Sequence, residues 1–456
     1  MFRTTFASLA FALAVFCSAR DVSAAPPDAR PPSPPLVVDR DATGPRSKET
    51  FAVLWADLQS SGFKGQHEGL DWAALKARHQ NAIESAADLP QQRKAINALL
   101  TDLKASHFAL IPSDALPTSD DAKTTGLGDT GLRFALADNR LLVERVAAGS
   151  PAAAAGVRPG WSVDGIGTFD VSATLKAMRD LDANARRHSE TMLLATTDKR
   201  VMGIAPDSRV ALRLRNAAGK PVALELAAAT DPAIQSMTLP GLPPMPLRIA
   251  SRRIDSPTAG CTLYFEFNQW AMPVYERLSN ALREHADCTG VVLDLRGNSG
   301  GLVPTLTAVA GLFFEQPTSL GTMTLGDGQT LQLMALPRQV GDDGRDIHRH
   351  TGRLAILVDR GSISCSDIFP ASLQAQGRAR VFGSTSAGMA LPAVASPLPS
   401  GDRLYHPTAD FVDPLKRRIE GVGVVPDQPV VPTPVALAKG GDPVLDAAVA
   451  WLSGTP

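Results

Sequence analysis

GVVLDLRGNSGG, residues 290–301, is a short continuous run of apolar residues that ends in a charged, glycine-rich turn. The same kind of apolar run recurs in three segments, with amphipathic stretches between them: TLYFEFN (262–268), RLAILVD (353–359) and ARVFGS (379–384). Apolar strands that alternate with helices predict a parallel β-sheet covered by helices on both faces. Functional residues gather at the carboxyl ends of such strands. Two segments stand there, DLRGNSGG (294–301) and GSISCS (361–366).

The composition is that of a soluble globular protein. The chain has 456 residues, 44% of them hydrophobic, and a formal net charge of -1. This length predicts two to four domains. Acidic and basic residues are interspersed, so they create no field that would collect nucleic acid or anionic lipid. We therefore expect no nucleic-acid partner.

The first residues have the layout of a secretory signal peptide. Arg3 precedes about a dozen apolar residues, and the small-residue run VSAA follows, with cleavage expected after Ala24. The apolar run is shorter than the ~20 residues that a membrane-spanning helix needs, so we expect no stable membrane anchor. Bulky Phe16 before Cys17 argues against lipid attachment. The pattern predicts a signal peptide at 1–24, a Pro-rich linker at 25–47, and a periplasmic or secreted protein.

Export changes the meaning of the cysteines. Cys261, Cys288 and Cys365 would fold in an oxidising compartment, where a disulfide persists. Three thiols form at most one internal bridge. Cys261 and Cys288 open two strand-like segments, and neighbouring parallel strands would bring these starts together. We predict a Cys261–Cys288 disulfide, with buried free thiols as the alternative.

Residues 48–118 are rich in Ala, Leu, Gln and Lys with helical spacing, which predicts a small N-terminal helical domain. The domain ends in SHFALIPSD, where His107 follows Ser106 at a helix exit. Loops at such exits often carry function. A histidine with no other functional residue near it is more often structural, so a catalytic role for His107 requires further residues that act with it.

Residues 119–230 change to short strands and glycine turns. The order of strands, SPAAAAGVRPGW (150–161) and a closing hairpin at NAAGK (216–220) resembles a PDZ domain. Such a domain binds an extended peptide at a sheet edge and receives its terminal carboxylate at a glycine-containing loop. The resemblance assigns that loop to Gly131, Leu132, Arg133 and Phe134. The alternative is a packing module with a vestigial groove.

Four ordered motifs carry a wider resemblance: GVVLDLRGNSGG, LAILVDRGSISCSDIF, GRARVFGSTSAG and GVGVVPD. The chain resembles the C-terminal processing proteases and their tricorn relatives. The resemblance implies an α/β multi-domain protein with a crotonase-like (ClpP-like) αββ core at 231–456, an N-terminal helical domain and an inserted PDZ-like domain. It also implies a serine peptidase whose nucleophile is the middle serine of SISCS, Ser364.

The better-known branch of that family uses a Ser-Lys dyad, which this sequence does not match. Met389 stands at the lysine position and Ala375 at an acidic one, while Lys416 and Lys439 lie outside matching motifs. The tricorn branch takes its base from a Ser-His pair and a later glutamate. Three residues match it: Ser106, His107 and Glu420.

The chemistry explains why these residue types are needed. A serine hydroxyl becomes a good nucleophile when a base within hydrogen-bond reach removes its proton, which assigns His107 as general base. Ser106 and Glu420 would orient and stabilise its cation. For the oxyanion hole we expect the Cys365 amide with that of Gly300, and Gly301 next in order. Cys365 itself is a weaker rival nucleophile.

The sequence predicts no metal and no cofactor. His348 and His350 in HRH have no further clustered ligand, so a solvated loop is favoured over a zinc site. The expected partners are peptide or protein substrates, including recognition through their C-termini. The alternative function is a catalytically inactive peptide- or ligand-binding protein on the same scaffold, because the resemblance includes retinoid-binding relatives without proteolysis.

Overall fold

Three helices begin the part of the chain that the computed structural model describes, which comprises residues 46–60, 70–103, 105–116, 125–239, 241–256, 260–341 and 344–454. The predicted signal peptide and most of the predicted linker lie outside these residues. The helices are α1 (Ser47–Ser60), α2 (Trp72–Glu84) and α3 (Leu89–Asp102). Asp71 and Asp88 cap the second and third, because their carboxylates accept N–H groups of the first turn.

An antiparallel sheet follows the helices. Its elements and their immediate neighbours are β1 (Ala109–Ile111), β2 (Thr125–Asp129), β3 (Leu132–Ala137), β4 (Arg140–Val146), α4 (Pro151–Ala154), β5 (Ser162–Ile166), β6 (Phe169–Asp170), α5 (Val171–Ala177), α6 (Ala183–Asp198), β7 (Met202–Ile204), β8 (Arg209–Arg215) and β9 (Pro221–Ala227). The strand order is β3-β4-β5-β8-β9, so β3 is an edge strand. Helix α6 packs against that edge strand. The assignment of residues 119–230 to a PDZ-like domain stays a prediction.

The remaining elements build a mixed sheet, parts of two smaller antiparallel sheets, and the helices around them. They are β10 (Ala229–Met237), β11 (Met245–Ser256), β12 (Gly260–Phe267), α7 (Met272–Glu284), β13 (Gly290–Asp294), α8 (Val303–Ala310), β14 (Thr318–Leu325), β15 (Thr330–Ala335), β16 (Arg353–Val358), α9 (Cys365–Ala375), β17 (Arg380–Gly383), β18 (Ala393–Pro397), β19 (Arg403–Pro407), β20 (Ala409–Val412), β21 (Gln428–Pro429), α10 (Pro434–Ala438) and α11 (Pro443–Leu452). The mixed sheet has the order β21-β17-β16-β13-β12-β11-β10-β2-β7, and a separate antiparallel sheet has the order β15-β14-β20. The mixed α/β architecture predicted from the sequence is confirmed.

Parallel pairing explains the continuous apolar runs. Strands β12, β13, β16 and β17 run parallel to one another, and all five residues of β13 are buried. Side chains on both faces of such a strand are covered, so both alternate sets are apolar. Strands β13 and β16 end in the same direction, which brings the two predicted functional segments to one edge of the sheet.

Cys261 and Cys288 form a disulfide in the structure, with an S–S distance of 2.11 Å. The register of β12 and β13 pairs Thr262 with Gly290, which brings Cys261, one residue before Thr262, close to Cys288, two residues before Gly290. The third described cysteine, Cys365, is free and buried. Within the described residues, no helix is both long and apolar enough to cross a bilayer.

The helices α1–α3 pack on a small sheet that belongs to the C-terminal part of the chain. This sheet has the order β1-β19-β18. Leu398 and Leu404 from the β18–β19 hairpin join the buried cluster of the three helices. Strand β1 directly follows the segment that carries Ser106 and His107, so its pairing with β19 fixes that segment against the C-terminal part.

Candidate active site

Ser364 lies in the sharp turn between β16 and α9. Its backbone has φ 60° and ψ -114°, a left-handed conformation that is strained for a residue with a side chain. The Ser364 N–H donates to the carbonyl of Met389 at 2.9 Å and to the carboxylate of Asp367 at 3.0 Å. These two bonds hold the serine in a conformation that it would not adopt by itself.

Asp367 is a residue that sequence reasoning missed. It is fully buried, and besides Ser364 its carboxylate accepts hydrogen bonds from Ser386 Oγ and from the N–H groups of Gly388 and Met389, at 2.9 and 3.1 Å. Burial raises the Asp367 pKa to about 6, against the opposing effect of these donors. Its position three residues after the nucleophile was the available signal. Asp367 joins the nucleophile turn to the loop that contains Met389.

Met389 is buried beside Ser364, and it clusters with Ile363 and Ala387. A thioether cannot serve as a general base at neutral pH. Lys416 donates from Nζ to Thr322 Oγ1 at 3.3 Å, and Lys439 is an exposed residue after α10. The structure therefore places neither lysine in the role of a dyad base.

The glycine-rich turn after β13 approaches Ser364 closely. A Cβ atom on Gly300 would lie 2.6 Å from Ser364 Cβ, so only glycine fits there. The Gly300 N–H, however, donates to Asn298 Oδ1 at 3.0 Å. The carbonyl of Gly301 accepts the Cys365 thiol at 3.4 Å, and no described residue accepts a hydrogen bond from the Gly301 N–H. This arrangement favours Gly301 over Gly300 as an amide open to an oxyanion.

Cys365 is the first residue of α9. The first N–H groups of a helix have no intrahelical acceptor and stand at the positive end of its dipole, so the Cys365 amide is suited to an oxyanion. Burial raises the pKa of the Cys365 thiol to about 12. The thiolate is the nucleophilic form of cysteine. A neutral, buried thiol argues against the rival reading of Cys365 as nucleophile.

Ser106, His107 and Glu420 meet in the structure. Ser106 Oγ lies 2.7 Å from His107 Nδ1, and the Ser106 hydroxyl also hydrogen-bonds to the Glu420 carboxylate. Glu420 in turn accepts the N–H of Ala390 at 2.7 Å, one residue after Met389. All three side chains are buried. His107 has φ 60°, so this segment is held in a strained conformation, as is Ser364.

Burial dominates the electrostatics of these groups. It lowers the pKa of His107 to about 4. It raises the pKa of Glu420 to about 7, although the hydrogen bonds from Ser106 and Ala390 oppose that shift. At neutral pH His107 is therefore an uncharged imidazole, which is the form that accepts a proton.

Tyr405 connects the His107 group with the nucleophile turn. Its ring centroid lies 5.8 Å from that of His107, and Cys365, next to Ser364, is near enough to raise the pKa of the Tyr405 hydroxyl. No hydrogen bond between Ser364 Oγ and the His107 ring is found among the described residues. Such bonds are often long before substrate binds, and they tighten in the complex.

The four predicted peptide-binding residues lie elsewhere, at the start of β3. The Gly131 N–H already donates to Asp129 Oδ1 at 2.9 Å, and Arg133 forms an ion pair with the Asp129 carboxylate at 2.9 Å. Leu132 and Phe134 are buried in the hydrophobic cluster of this sheet. An internal carboxylate therefore occupies the loop amide that the sequence assigned to a peptide C-terminus.

The described residues contain one group of potential metal ligands, formed by Cys261, Asp287 and Cys288. Both of its cysteines are in the disulfide, so they offer no thiolate. His350 of the HRH segment has Nε2 at 3.1 Å from the carbonyl of Arg353. That contact gives His350 a structural partner.

A family model and several known proteins match parts of this chain. The family model described as Peptidase family S41 matches residues 262–430. Two curated relatives are named carboxyl-terminal-processing protease. The relative from Synechocystis sp. is 23% identical over 273 residues, covering 59% of this chain and 61% of that protein. The relative from Picosynechococcus sp. is 28% identical over 182 residues, covering 39% and 41%. The chain thus spans less than two thirds of the length of these relatives.

Two solved structures share the fold. The photosystem II D1 C-terminal processing protease has a TM-score of 0.57 and 19% identity, covering 90% of this chain and 98% of that chain. Mature CPAF, solved in complex with lactacystin, has a TM-score of 0.58 and 14% identity, covering 90% and 99%. The S41 match contains Ser364, Cys365 and Glu420, and Ser106 and His107 lie outside it. The model of Peptidase family S41 therefore matches residues 262–430 of this chain, and the two solved proteases share its fold.

Proposed function

We propose that this chain is an exported serine-type endopeptidase that hydrolyses peptide bonds, with Ser364 as nucleophile and His107 as general base. The observation that carries the proposal is the hydrogen-bonded series from His107 Nδ1 through Ser106 to Glu420, beside a serine in a strained strand-to-helix turn. Nucleophile, base and orienting acid are the parts that activated-serine catalysis requires.

The protons available in that series determine which histidine nitrogen is the base. When Glu420 is ionised it can only accept, so Ser106 donates to Glu420. Ser106 has one hydroxyl proton, and it must then accept from His107 Nδ1–H. The other ring nitrogen, Nε2, is left unprotonated and can take the proton of Ser364. An ionised Glu420 thus selects the productive tautomer of His107.

A protonated Glu420 reverses these directions. Glu420 would donate to Ser106, and Ser106 could donate to His107 Nδ1, which places the imidazole proton on Nε2. That tautomer cannot accept the Ser364 proton. Because burial raises the Glu420 pKa to about 7, this exchange falls in the neutral range.

The catalytic cycle follows from these positions. Ser364 Oγ attacks the peptide carbonyl while His107 takes its proton, and the oxyanion accepts hydrogen bonds from the amides of Cys365 and Gly301. His107 then returns the proton to the leaving amine, and an acyl-enzyme remains. Water attacks the acyl group with His107 again as base, which releases the product acid and restores Ser364. The positive end of the α9 dipole favours the oxyanion throughout.

We also propose that residues 48–118, 119–230 and 231–456 act as helical, PDZ-like and catalytic domains, and that residues 1–24 direct export. The contacts of helix α6 with segments next to the site support the proposal that the PDZ-like domain delivers a peptide to it. Its Thr191 donates to the carbonyl of Arg360 at 2.9 Å, and its Arg187 donates to the carbonyl of Gly421, beside Glu420. Polypeptide substrates fit the names of the curated relatives. A substrate C-terminus would have to displace Asp129 from the Gly131 amide.

Labelling with a fluorophosphonate, followed by peptide mapping, tests the proposal. GSISCS contains three serines, and we expect them to differ in their reaction with the label. Ser362 already donates to the carbonyl of Leu295 at 2.8 Å, and Ser366 accepts from Trp270 Nε1 at 2.8 Å, so we expect the label on Ser364 alone. Ser364→Ala should abolish labelling and hydrolysis of a quenched-fluorescence polypeptide. A folded, unlabelled and inactive wild-type chain would contradict the proposal and favour the binding-protein alternative.

A further inference from the structure

Tyr405 occupies the centre of the small sheet that faces the candidate site. It lies on β19, where it pairs with Ala109 of β1 on one side and with Ala395 of β18 on the other. Both neighbours have the smallest apolar side chain, so neither covers the tyrosine ring as a larger residue would. The ring lies 5.8 Å from His107, and Cys365 is near enough to the hydroxyl to contribute to its raised pKa.

The hydroxyl of Tyr405 has no hydrogen-bond partner within the described part of the chain, and it is not among the fully buried unpaired polar atoms. A half-buried tyrosine hydroxyl usually finds a partner. Tyr264 follows this rule, since its hydroxyl lies 2.7 Å from carboxylate oxygens of both Glu266 and Asp294 and can donate to one of them. Tyr405 therefore keeps a donor that is accessible from the site and is not used by the protein.

That donor remains a donor over the working pH range. Burial, and then the nearby Cys365 thiol, raise the pKa of Tyr405 to about 12. The phenol stays protonated at neutral pH and can give a hydrogen bond to an oxygen on which negative charge develops.

The amides expected to form the oxyanion hole are not all open. The Gly300 amide, one of the expected donors, is bonded to Asn298. We propose that the Tyr405 hydroxyl donates a hydrogen bond to the carbonyl oxygen of the scissile peptide bond as that oxygen becomes an oxyanion. This inference rests on the proposed peptidase function, and it adds a catalytic residue to the amides of Cys365 and Gly301. No proton is transferred, since the phenol keeps its hydrogen throughout.

Tyr405→Phe tests the inference with the ring retained. Removal of one oxyanion donor costs about 10²- to 10³-fold in kcat, and we expect a loss of about 10- to 10³-fold with KM within about twofold. No described residue loses a partner when the hydroxyl is removed, so the variant should fold. Tyr275→Phe, on α7, is the matched control and should keep wild-type kcat.

Two further measurements separate catalysis from packing. A peptide aldehyde forms a tetrahedral adduct with an oxyanion at Ser364, whereas the product acid does not. In Tyr405→Phe the aldehyde should bind more weakly by about the same factor as kcat, with product affinity unchanged. The acid limb of the pH profile should keep its midpoint, because the hydroxyl does not act through His107.

The outcomes that overturn the inference are distinct from those that overturn the proposed function. If the wild type is labelled on Ser364 and Tyr405→Phe is labelled and turns over within twofold of it, the inference is wrong and the peptidase function stands. A loss of kcat with a shifted acid limb and an unchanged ratio of aldehyde to product affinity would assign Tyr405 to packing on His107. An unlabelled, inactive wild type overturns both.

Discussion

Glu420→Gln tests whether one buried carboxyl group controls the pH dependence of the reaction. In the wild type, ionised Glu420 makes Ser106 donate towards it, which leaves His107 Nε2 free to accept. Gln keeps the shape and can still accept from Ala390 N–H, but it has no titrating proton. The substitution therefore removes the pH-dependent change of tautomer, and with it the negative charge that stabilises the His107 cation.

The magnitudes follow from the two pKa values at the site. With a Glu420 pKa of about 7, roughly 1% of the carboxyl groups are ionised at pH 5. At that pH about 90% of His107 is still neutral, because its pKa is about 4. We expect wild-type kcat/KM to rise with pH through a midpoint near 7 and to be about 100-fold lower at pH 5 than on the plateau. Glu420→Gln should lack this limb, with a plateau lower by about 10²- to 10⁴-fold.

The assay is hydrolysis of an internally quenched polypeptide between pH 4 and 9, with thermal unfolding followed in parallel. Glu276→Gln, an exposed position on α7, is the control and should reproduce the wild-type profile. If wild-type kcat/KM instead rose with a midpoint near pH 4, the pH dependence would come from His107 alone. A limb near 7 that persists in Glu420→Gln would also refute the reasoning, since another group would then be titrating.

Three further expectations concern the nucleophile, the dyad position and the disulfide. Ser364→Ala and His107→Ala should each reduce kcat by about 10⁴-fold or more. The double variant should lose little beyond either single variant, because the two residues act as one unit. Losses that add up in single-turnover assays would contradict this. Met389→Ala should keep most activity, and a loss comparable to that of His107→Ala, with the fold intact by circular dichroism, would count against a histidine base. Replacing Cys261 and Cys288 by Ser should lower the free energy of unfolding by about 3.5 kcal/mol, from the entropy of closing a loop with a sequence separation of 27, and denaturant titration that shows no change would exclude this contribution.

Local pattern was sufficient for the strands and helices of the core and for placing GSISCS at the end of a strand, while the choice of Ser364 as nucleophile came from the resemblance to a family and stays a proposal. The apolar runs at β12, β13 and β16 are continuous because parallel strands are covered on both faces, so the sequence itself signals burial. Because all three run parallel, DLRGNSGG and GSISCS had to reach one edge. The starts of β12 and β13 likewise brought Cys261 and Cys288 together.

The residues that serve the nucleophile depended on partners far away in the chain. Nothing around Ser106 and His107 signals that Glu420 will accept from that serine, and the resemblance to a family was needed to select them. The only signal for Asp367 was its position three residues after Ser364, which did not show that four donors converge on it. The pairing of Tyr405 with Ala109 was equally hidden, because a three-residue strand carries almost no periodicity.

The sequence by itself determined which segments are buried strands and helices, and that a serine would stand in a strand-to-helix turn, because burial imposes a period on neighbouring residues. The tertiary structure decided which hydrogen-bonding groups are already satisfied. It bonded the Gly300 amide to Asn298 and the Gly131 amide to Asp129, and it left the Tyr405 hydroxyl open. Each donor proton is used once, and its acceptor is set by packing between distant segments, which no local pattern encodes.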